Sequence, residues 1–154
     1  MEFAYSEQSL ALQAQLRAFY DENIIPRWRD WQIATKRDNV REPAFVQELR
    51  AKAKSAGLWN LALPDLAEDE PGTRLSNLEF APLAEYMGRY HGSGFVFNCQ
   101  PPDVPNMIAL QNDANPEQRE RWLKPLLEGE MRSAFAMTEY NVASSDANNL
   151  STTM

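Results

Sequence analysis

The apolar residues of this chain repeat at helical spacing for about 130 residues and then change to strand-like alternation. Leu12, Leu16 and Phe19 open the helical pattern, which is typical of an amphipathic helix with one buried face. Along residues 133–138, by contrast, the side chains alternate between two faces, which predicts a strand. The chain is therefore predicted to place helices first and an extended segment last.

Proline and glycine predict the ends of the first two helices. Pro26 predicts that the first helix ends by about residue 24, because proline disfavours helical backbone at the preceding residue. Residues 28–33 then fall in a charged linker. A second helix is predicted from Pro43 to Ala56, and Gly57 follows as a C-terminal stop.

Two capping boxes predict where later helices begin. In each box a short polar side chain accepts a hydrogen bond from a backbone N–H three residues on, and that residue's side chain reaches back. Ser76 and Glu79 form the first box, and Asn115 and Gln118 form the second, with Pro116 at the first helical position. Helices are predicted to begin directly after Ser76 and Asn115.

Two further segments carry weaker signals. Residues 57–64 are apolar and short, and periodicity does not decide between a buried loop and a strand. Residues 99–105 hold three prolines, which predict an irregular segment followed by a short helix over residues 106–111. Together the signals predict an all-α fold with five or six helices between residues 6 and 129.

Composition excludes several classes of function. The chain has 154 residues and is 44% hydrophobic, which is enough for one domain with a core. The net charge of −7 disfavours nucleic-acid binding. With one cysteine, Cys99, and one histidine, His91, the chain has too few ligands for a Cys/His zinc site and cannot form an internal disulfide. We predict no metal site.

The sequence also lacks membrane and secretion signals. No apolar run approaches the roughly 18 residues that a membrane-spanning helix needs. The N-terminus has no basic stretch followed by an apolar core, so no secretory signal is expected. We expect a cytoplasmic protein, or a protein of an organelle matrix if the source is a eukaryote.

A polar loop after the extended segment carries the clearest chemical signal. The apolar run ends at Thr138 and Glu139, and short polar side chains follow it: Asn141, Ser144, Ser145 and Asp146. Short side chains at a strand end let backbone N–H groups approach an anion. Taken alone, such residues are more often core, turn or cap residues. Glu139 is predicted to be a structural carboxylate that bonds backbone N–H groups.

This loop resembles the flavin-binding loop of the acyl-CoA dehydrogenase family. The resemblance rests on F-A-M-T-E-Y-N-V-A-S-S-D-A at 135–147, preceded in order by G-L-W at 57–59, S-N-L-E-F-A-P-L-A-E-Y-M-G at 76–88 and E-Q-R-E-R-W-L-K-P-L-L-E-G-E at 117–130. Each motif alone is weak, and their common order carries the likeness across residues 6–152. The F-N-C, P-D and A-S-S-D-A signatures resemble the long-chain branch.

The resemblance implies two domains and a flavin cofactor. Residues 1–130 would be the N-terminal helical domain, and residues 131–154 the first strand and flavin loop of a truncated middle β domain. The complete protein would bind FAD between the middle domain and a C-terminal four-helix domain. It would oxidise acyl-CoA thioesters at the α and β carbons in fatty acid metabolism. Its partners would be acyl-CoA, an electron-transfer acceptor and further copies of itself.

The resemblance also assigns roles within the loop. Six positions match cofactor-binding residues of the family: Phe135, Met137, Thr138, Ala143, Ser144 and Ser145. The first three match residues that meet the flavin ring, the last three match residues near the pyrophosphate and CoA, and Ser145 is also predicted to bind substrate. No glutamate of this chain matches the family's catalytic base, so no catalytic residue is assigned. We expect the chain alone to bind FAD weakly or not at all.

Two departures from the family pattern leave alternatives open. Tyr140 stands where the family usually has proline, and Pro105 stands where this branch usually has glycine, so the loop beside the acyl pocket is expected to change shape. The alternatives are a non-catalytic helical domain that acts only by association, or a flavin oxidase or monooxygenase of the same fold. We expect a tail without partner strands to be mobile or to pair with another chain.

Overall fold

Helices dominate the structure, a computed structural model that describes residues 4–38 and 42–153. Residues 1–3, on which part of the signal-sequence prediction rests, lie outside the described residues, as do residues 39–41 and 154. The described α-helices are α1 (Glu7–Phe19), α2 (Trp28–Lys36), α3 (Phe45–Ser55), α4 (Asn77–Gly88), α5 (Asp103–Asp113), α6 (Pro116–Gln118) and α7 (Lys124–Glu128). With their connecting π and 3-10 turns they form five continuous helical stretches in the described chain, which confirms the all-α prediction.

Helical backbone continues from α1 into α2 through π and 3-10 turns over residues 20–27. Ile25 keeps helical angles (φ −58°, ψ −44°) beside Pro26, because its N–H donates to the Tyr20 carbonyl, five residues earlier. Pro26 lies in the first turn of the 3-10 helix, where a missing N–H has little cost. The prediction of a charged linker is therefore wrong, since residues 28–33 belong to α2.

Both predicted capping boxes are confirmed. The Ser76 hydroxyl accepts from the Glu79 N–H at 3.3 Å, and the Glu79 carboxylate accepts from the Ser76 N–H at 3.0 Å. Asn115 and Gln118 exchange the equivalent two bonds, each 2.9 Å long. The prediction of a second helix is also confirmed, because α3 lies within the predicted residues 43–56. Local chemistry fixes these helix ends.

The α5 helix begins at Asp103, three residues before its predicted start. Pro105 lies in the first helical turn, where N–H groups have no partner within the helix. The irregular segment predicted over residues 99–105 therefore ends at Pro102, which a cis peptide bond joins to Pro101. Pro105 therefore lies in a helix and not in the predicted irregular segment, and the change of loop shape relative to the family stays a prediction.

Two hydrophobic cores hold the helices together. The larger core lies among α1, α2, α3 and α4, and the smaller one is built from Leu63, Leu66, Met107, Leu123, Leu126 and Leu127. Residues 57–64 pass from one core to the other, with Leu58 and Leu61 in the larger core. This segment forms buried turns, which decides between the two predictions left open for it. No described helix has the length and apolarity to cross a membrane.

A buried amide pair connects the two cores. Asn98, the asparagine of the F-N-C motif, donates from Nδ2 to Asn60 Oδ1 at 2.7 Å and to the Leu126 carbonyl at 3.0 Å. Asn60 donates from Nδ2 to the Leu127 carbonyl at 2.9 Å. Both asparagines have positive φ, which Asn tolerates better than most residues. The end of α7 is thus fixed against the loops beside it.

The strand prediction for residues 133–138 is wrong. The segment forms no ladder with any residue of the described chain, so no β stub is seen. An extended segment becomes a strand only when a second strand satisfies its N–H and C=O groups. Here the neighbouring groups belong to side chains of α5. The assignment of residues 131–154 to a middle domain stays a prediction.

Candidate functional site

The segment that carries the candidate site, the tail (residues 131–153), leaves the helical body (residues 7–130) at Gly129. Gly129 has a φ of +73°, and a Cβ atom there would lie 2.7 Å from the Trp59 ring. A side chain would therefore be both strained and blocked. Arg50 holds this turn from α3, since it donates to the Gly129 carbonyl at 3.1 Å and to the Phe95 carbonyl at 2.8 Å.

A buried carboxylate on α5 anchors the start of the tail. Asp103 is 2% exposed, and its Oδ2 accepts from Arg132 Nε at 2.5 Å. Its Oδ1 accepts from both the backbone N–H and the hydroxyl of Ser133, each at 2.7 Å. Asn106 adds a bond from Nδ2 to the Ser133 hydroxyl oxygen at 2.9 Å. The tail therefore begins from a fixed point on the helical body.

Beyond this anchor the predicted site residues lie along an open segment. The Phe135 side chain is 67% exposed, Thr138 is exposed and Met137 is half-buried. In the following turn Ala143 and Ser145 are exposed and Ser144 is half-buried. Single exposed apolar side chains are common on protein surfaces, so exposure alone assigns these residues no role.

Hydrogen bonds of Ser144 and of Glu139 close the loop. The Ser144 hydroxyl oxygen accepts from the Glu139 N–H at 2.7 Å, and the hydroxyl lies 3.4 Å from the Val142 carbonyl. The Glu139 carboxylate accepts from the N–H groups of Ser151 at 3.0 Å and Thr152 at 2.7 Å. The prediction that Glu139 bonds backbone N–H groups is confirmed.

These contacts change the acidity of Glu139. Its pKa is lowered from 4.5 to about 2, first by the Thr152 hydroxyl and then by the backbone N–H groups of Ser151 and Thr152. Donors that stabilise an ionised carboxylate lower its pKa, because they are lost or weakened on protonation. A carboxylate that is held ionised in this way is a poor proton acceptor near neutral pH, so the geometry favours a structural role over general-base catalysis.

A groove of about 640 Å³ lies where the tail meets the helical body. One wall is Phe95 with the cis-proline turn, and the other is the tail from Arg132 to Phe135. Glu42 lies at its edge and bonds Arg132 at 3.3 Å. Of the six predicted cofactor-binding residues, Phe135 lines this groove.

With this geometry in view, the chain was compared with known proteins. Residues 6–130 match the family profile described as Acyl-CoA dehydrogenase, N-terminal domain. The chain belongs to the acyl-CoA dehydrogenase family. The matched range covers all seven α-helices of the body and ends where the tail begins.

Relatives extend the likeness into the tail. A probable acyl-CoA dehydrogenase of Mycobacterium tuberculosis is 40% identical over all of this chain, which corresponds to 37% of that protein. Acyl-CoA dehydrogenase family member 10 of mouse is 42% identical over 90% of this chain and 13% of its own length. A solved structure from Mycobacterium abscessus, assigned as an acyl-CoA dehydrogenase, superposes with a TM-score of 0.82 at 44% identity, over 96% of this chain and 38% of that one. The chain thus spans well under half the length of each relative.

FAD is the cofactor that the family implies, and the tail carries the residues predicted to bind it. The described residues offer hydroxyl and backbone groups on one exposed segment, and part of that set is already engaged, as the Ser144–Glu139 bond indicates. The six predicted residues lie along this segment and not around a common cavity. The described residues therefore do not enclose a flavin. We therefore derive no catalytic step from this acyl-CoA dehydrogenase domain alone.

Sequence reasoning missed the residues that hold the tail in place, namely Asp103, Asn106 and Arg132. The P-D motif that was part of the resemblance contains Asp103, but nothing local in the sequence reveals that its carboxylate is buried. An aspartate in a first helical turn is usually explained by the helix dipole and the free N–H groups. The sequence offered one signal for this contact: a basic residue, Arg132, lies directly before the alternating segment and can pair with the Asp103 carboxylate.

Proposed function

We propose that this chain forms the N-terminal helical domain and the flavin loop of an FAD-dependent acyl-CoA dehydrogenase, one that oxidises acyl-CoA thioesters at the α and β carbons. One observation carries the proposal: the 40% identity to a probable acyl-CoA dehydrogenase runs through the tail as well as the helical body. The F-N-C, P-D and A-S-S-D-A signatures support a place in the long-chain branch.

In this proposal the chain supplies one wall of the acyl pocket and one loop of the flavin site. Phe135, Met137 and Thr138 would contact the flavin ring, and Ser145 would contact the substrate. The exposure of Phe135 supports this role, since an aromatic ring left open to solvent is available to cover a planar cofactor. When bound, FAD would accept the hydride from the β carbon.

The remaining chemistry would come from residues outside this chain. No glutamate here matches the family's base, and the low pKa of Glu139 argues against its use in that role. Further copies of the protein would complete the flavin site, and an electron-transfer acceptor would reoxidise it. The helical body would exclude water from the acyl pocket and carry the loop.

Flavin content tests the proposal directly. A complete protein that carries this chain should be yellow, with a flavin absorption band, and should be reduced by acyl-CoA under anaerobic conditions. The 154-residue chain alone should show no binding of FAD at micromolar concentration. A colourless complete protein that cannot be reconstituted with FAD would refute the proposal.

The alternative function is association without catalysis. The full exposure of Tyr140 favours it, because a large aromatic side chain that is 100% exposed suits contact with a partner. Light scattering on the 154-residue chain separates the two functions, since the alternative requires a stable complex in the absence of FAD. A flavin oxidase or monooxygenase of the same fold would instead be recognised by rapid reaction of the reduced protein with oxygen.

A further inference from the structure

We propose that Asp103 is a positioning residue that fixes where the flavin loop starts on the helical body, acting through Arg132 and Ser133. The inference rests on the proposed function, because it takes the tail to be that loop. Asp103 belongs to the helical body and does not lie among the six residues predicted to bind the cofactor. It touches the tail only at its first residues.

The hydrogen bonds of Asp103 restrict the position of the tail at Arg132 and Ser133. Both carboxylate oxygens are used: Oδ2 accepts from Arg132 Nε at 2.5 Å, and Oδ1 accepts from the Ser133 N–H and hydroxyl at 2.7 Å each. A carboxylate with 2% of its residue surface exposed requires such partners, since an unpaired buried charge is costly. The two consecutive residues of the tail are therefore tied to one side chain.

Arg132 is held from two further directions. Its guanidinium carbon lies 4.3 Å from the centre of the Phe95 ring, a cation–π contact, and its Nη1 lies 3.3 Å from the Glu42 carboxylate. The Phe95 carbonyl is itself bound by Arg50 at 2.8 Å. Arg132 thus joins α5, the 3-10 turn that contains Phe95 and the segment before α3, which restricts its rotation.

Fixing Ser133 also limits the position of Phe135. Ser133 and Phe135 line the same groove, opposite Phe95 and the cis-proline turn. Because Asp103 binds the Ser133 N–H and hydroxyl together, it holds the backbone from which Phe135 follows two residues later.

Ser133 and Phe135 are so close along the chain that fixing one restricts the other. Phe135 follows Ser133 by two residues, so its Cα atom can lie no more than about 7 Å from that of Ser133. A fixed Ser133 therefore confines Phe135 to a small volume beside the groove that both residues line. The hydrogen bonds of the Glu139 carboxylate to Ser151 and Thr152, the Glu139 clamp, cannot substitute for this anchor, because they hold the distal end of the loop.

The test is NMR-detected hydrogen exchange of the intact 154-residue chain, without FAD, in variants of the anchor. Asp103→Asn keeps the shape of the side chain, but its amide has a single acceptor oxygen. It therefore cannot accept from Arg132 with one oxygen and from Ser133 with another. Exchange of the Ser133 N–H should become at least about tenfold faster, the factor for losing a charged hydrogen bond. Amides of α3 and α4 should keep their protection.

The matched control is Glu120→Gln, which neutralises an exposed ion pair with Lys124 at 2.7 Å and leaves Asp103 intact. It should leave Ser133 exchange unchanged. Arg132→Lys and Arg132→Met provide a test that does not alter the buried carboxylate. Lys retains the cation and should restore most of the protection that Met removes.

Unchanged Ser133 exchange in both Asp103→Asn and Arg132→Met would overturn the proposal, as would equal exchange in Arg132→Lys and Arg132→Met. If Asp103→Asn unfolds the chain, the two Arg132 variants decide the question, because Arg132 is partly exposed. The outcome is separable from that of the proposed function. A complete protein without flavin would refute that function and leave Ser133 exchange unaffected.

Discussion

The helical body and the tail of this chain are stabilised in opposite ways. The body buries its large apolar side chains, and Leu16, Tyr20 and Phe97 have no exposed surface. The tail leaves Phe135 67% and Tyr140 100% exposed, and polar contacts hold it near both ends. The body therefore provides its own partners. The exposed apolar residues of the tail would gain stabilising burial only from a cofactor or a further protein surface.

The largest expected difference between the two regions comes from replacing an asparagine in each. Asn98→Ala removes the bonds to Asn60 and Leu126 and leaves a residue with a φ of +55° without asparagine's tolerance for it. We expect a loss of about 3 kcal/mol in the free energy of unfolding, measured by urea denaturation. Asn141→Ala, in the exposed turn of the tail, should cost less than about 0.5 kcal/mol. Equal costs would erase the distinction between body and tail.

Truncation locates the boundary between the regions. Deletion of residues 136–154 should leave the unfolding midpoint nearly unchanged, because the Asp103 anchor is retained. Deletion of residues 131–154 removes the partners of Asp103 and should cost about 2 kcal/mol. This is less than a fully buried charge would cost, since removal of the tail exposes the carboxylate to water. If both deletions have the same effect, the anchor adds nothing to the body.

A smaller effect is expected at a helix start of the body. Ser76→Ala removes the capping bond to the Glu79 N–H and should lower the free energy of unfolding by about 1 kcal/mol. Ser145→Ala changes the same side chain at an exposed position of the tail, and its urea midpoint should match that of the unmodified chain. A Ser76→Ala midpoint that also matches would mean that the cap does not stabilise α4.

The smallest effect is confined to the tail and depends on pH. Because the closed loop lowers the pKa of Glu139 to about 2, protons bind preferentially to the open loop. The clamp should be fully present above about pH 4.5 and should be lost as the pH falls towards 2. NMR of the Ser151 and Thr152 amides should report this opening, and Glu139→Gln should abolish its pH dependence. Amides that stay closed to pH 2 in the unmodified chain would contradict the shift.

The sequence by itself determined the features that depend on a few neighbouring residues. The capping boxes that begin at Ser76 and Asn115 each join two residues three positions apart, so they could be predicted from local sequence and are confirmed. The structural role of Glu139 was also predicted, although its partners Ser151 and Thr152 lie 12 and 13 residues further along the chain. Family membership was also within reach, because the order of several weak motifs is a property of the sequence.

Tertiary structure decided the features that depend on distant partners. Asp103 and Arg132 are 29 residues apart, and burial of the carboxylate follows from the packing of α5 and not from its sequence neighbours. Alternation in residues 133–138 predicted a strand, yet a strand requires a partner that the described chain does not provide. Ile25 kept helical angles beside Pro26, with its N–H bonded to the Tyr20 carbonyl in a π turn. Local sequence fixes the backbone preferences of a segment, and only the fold determines which groups meet to satisfy them.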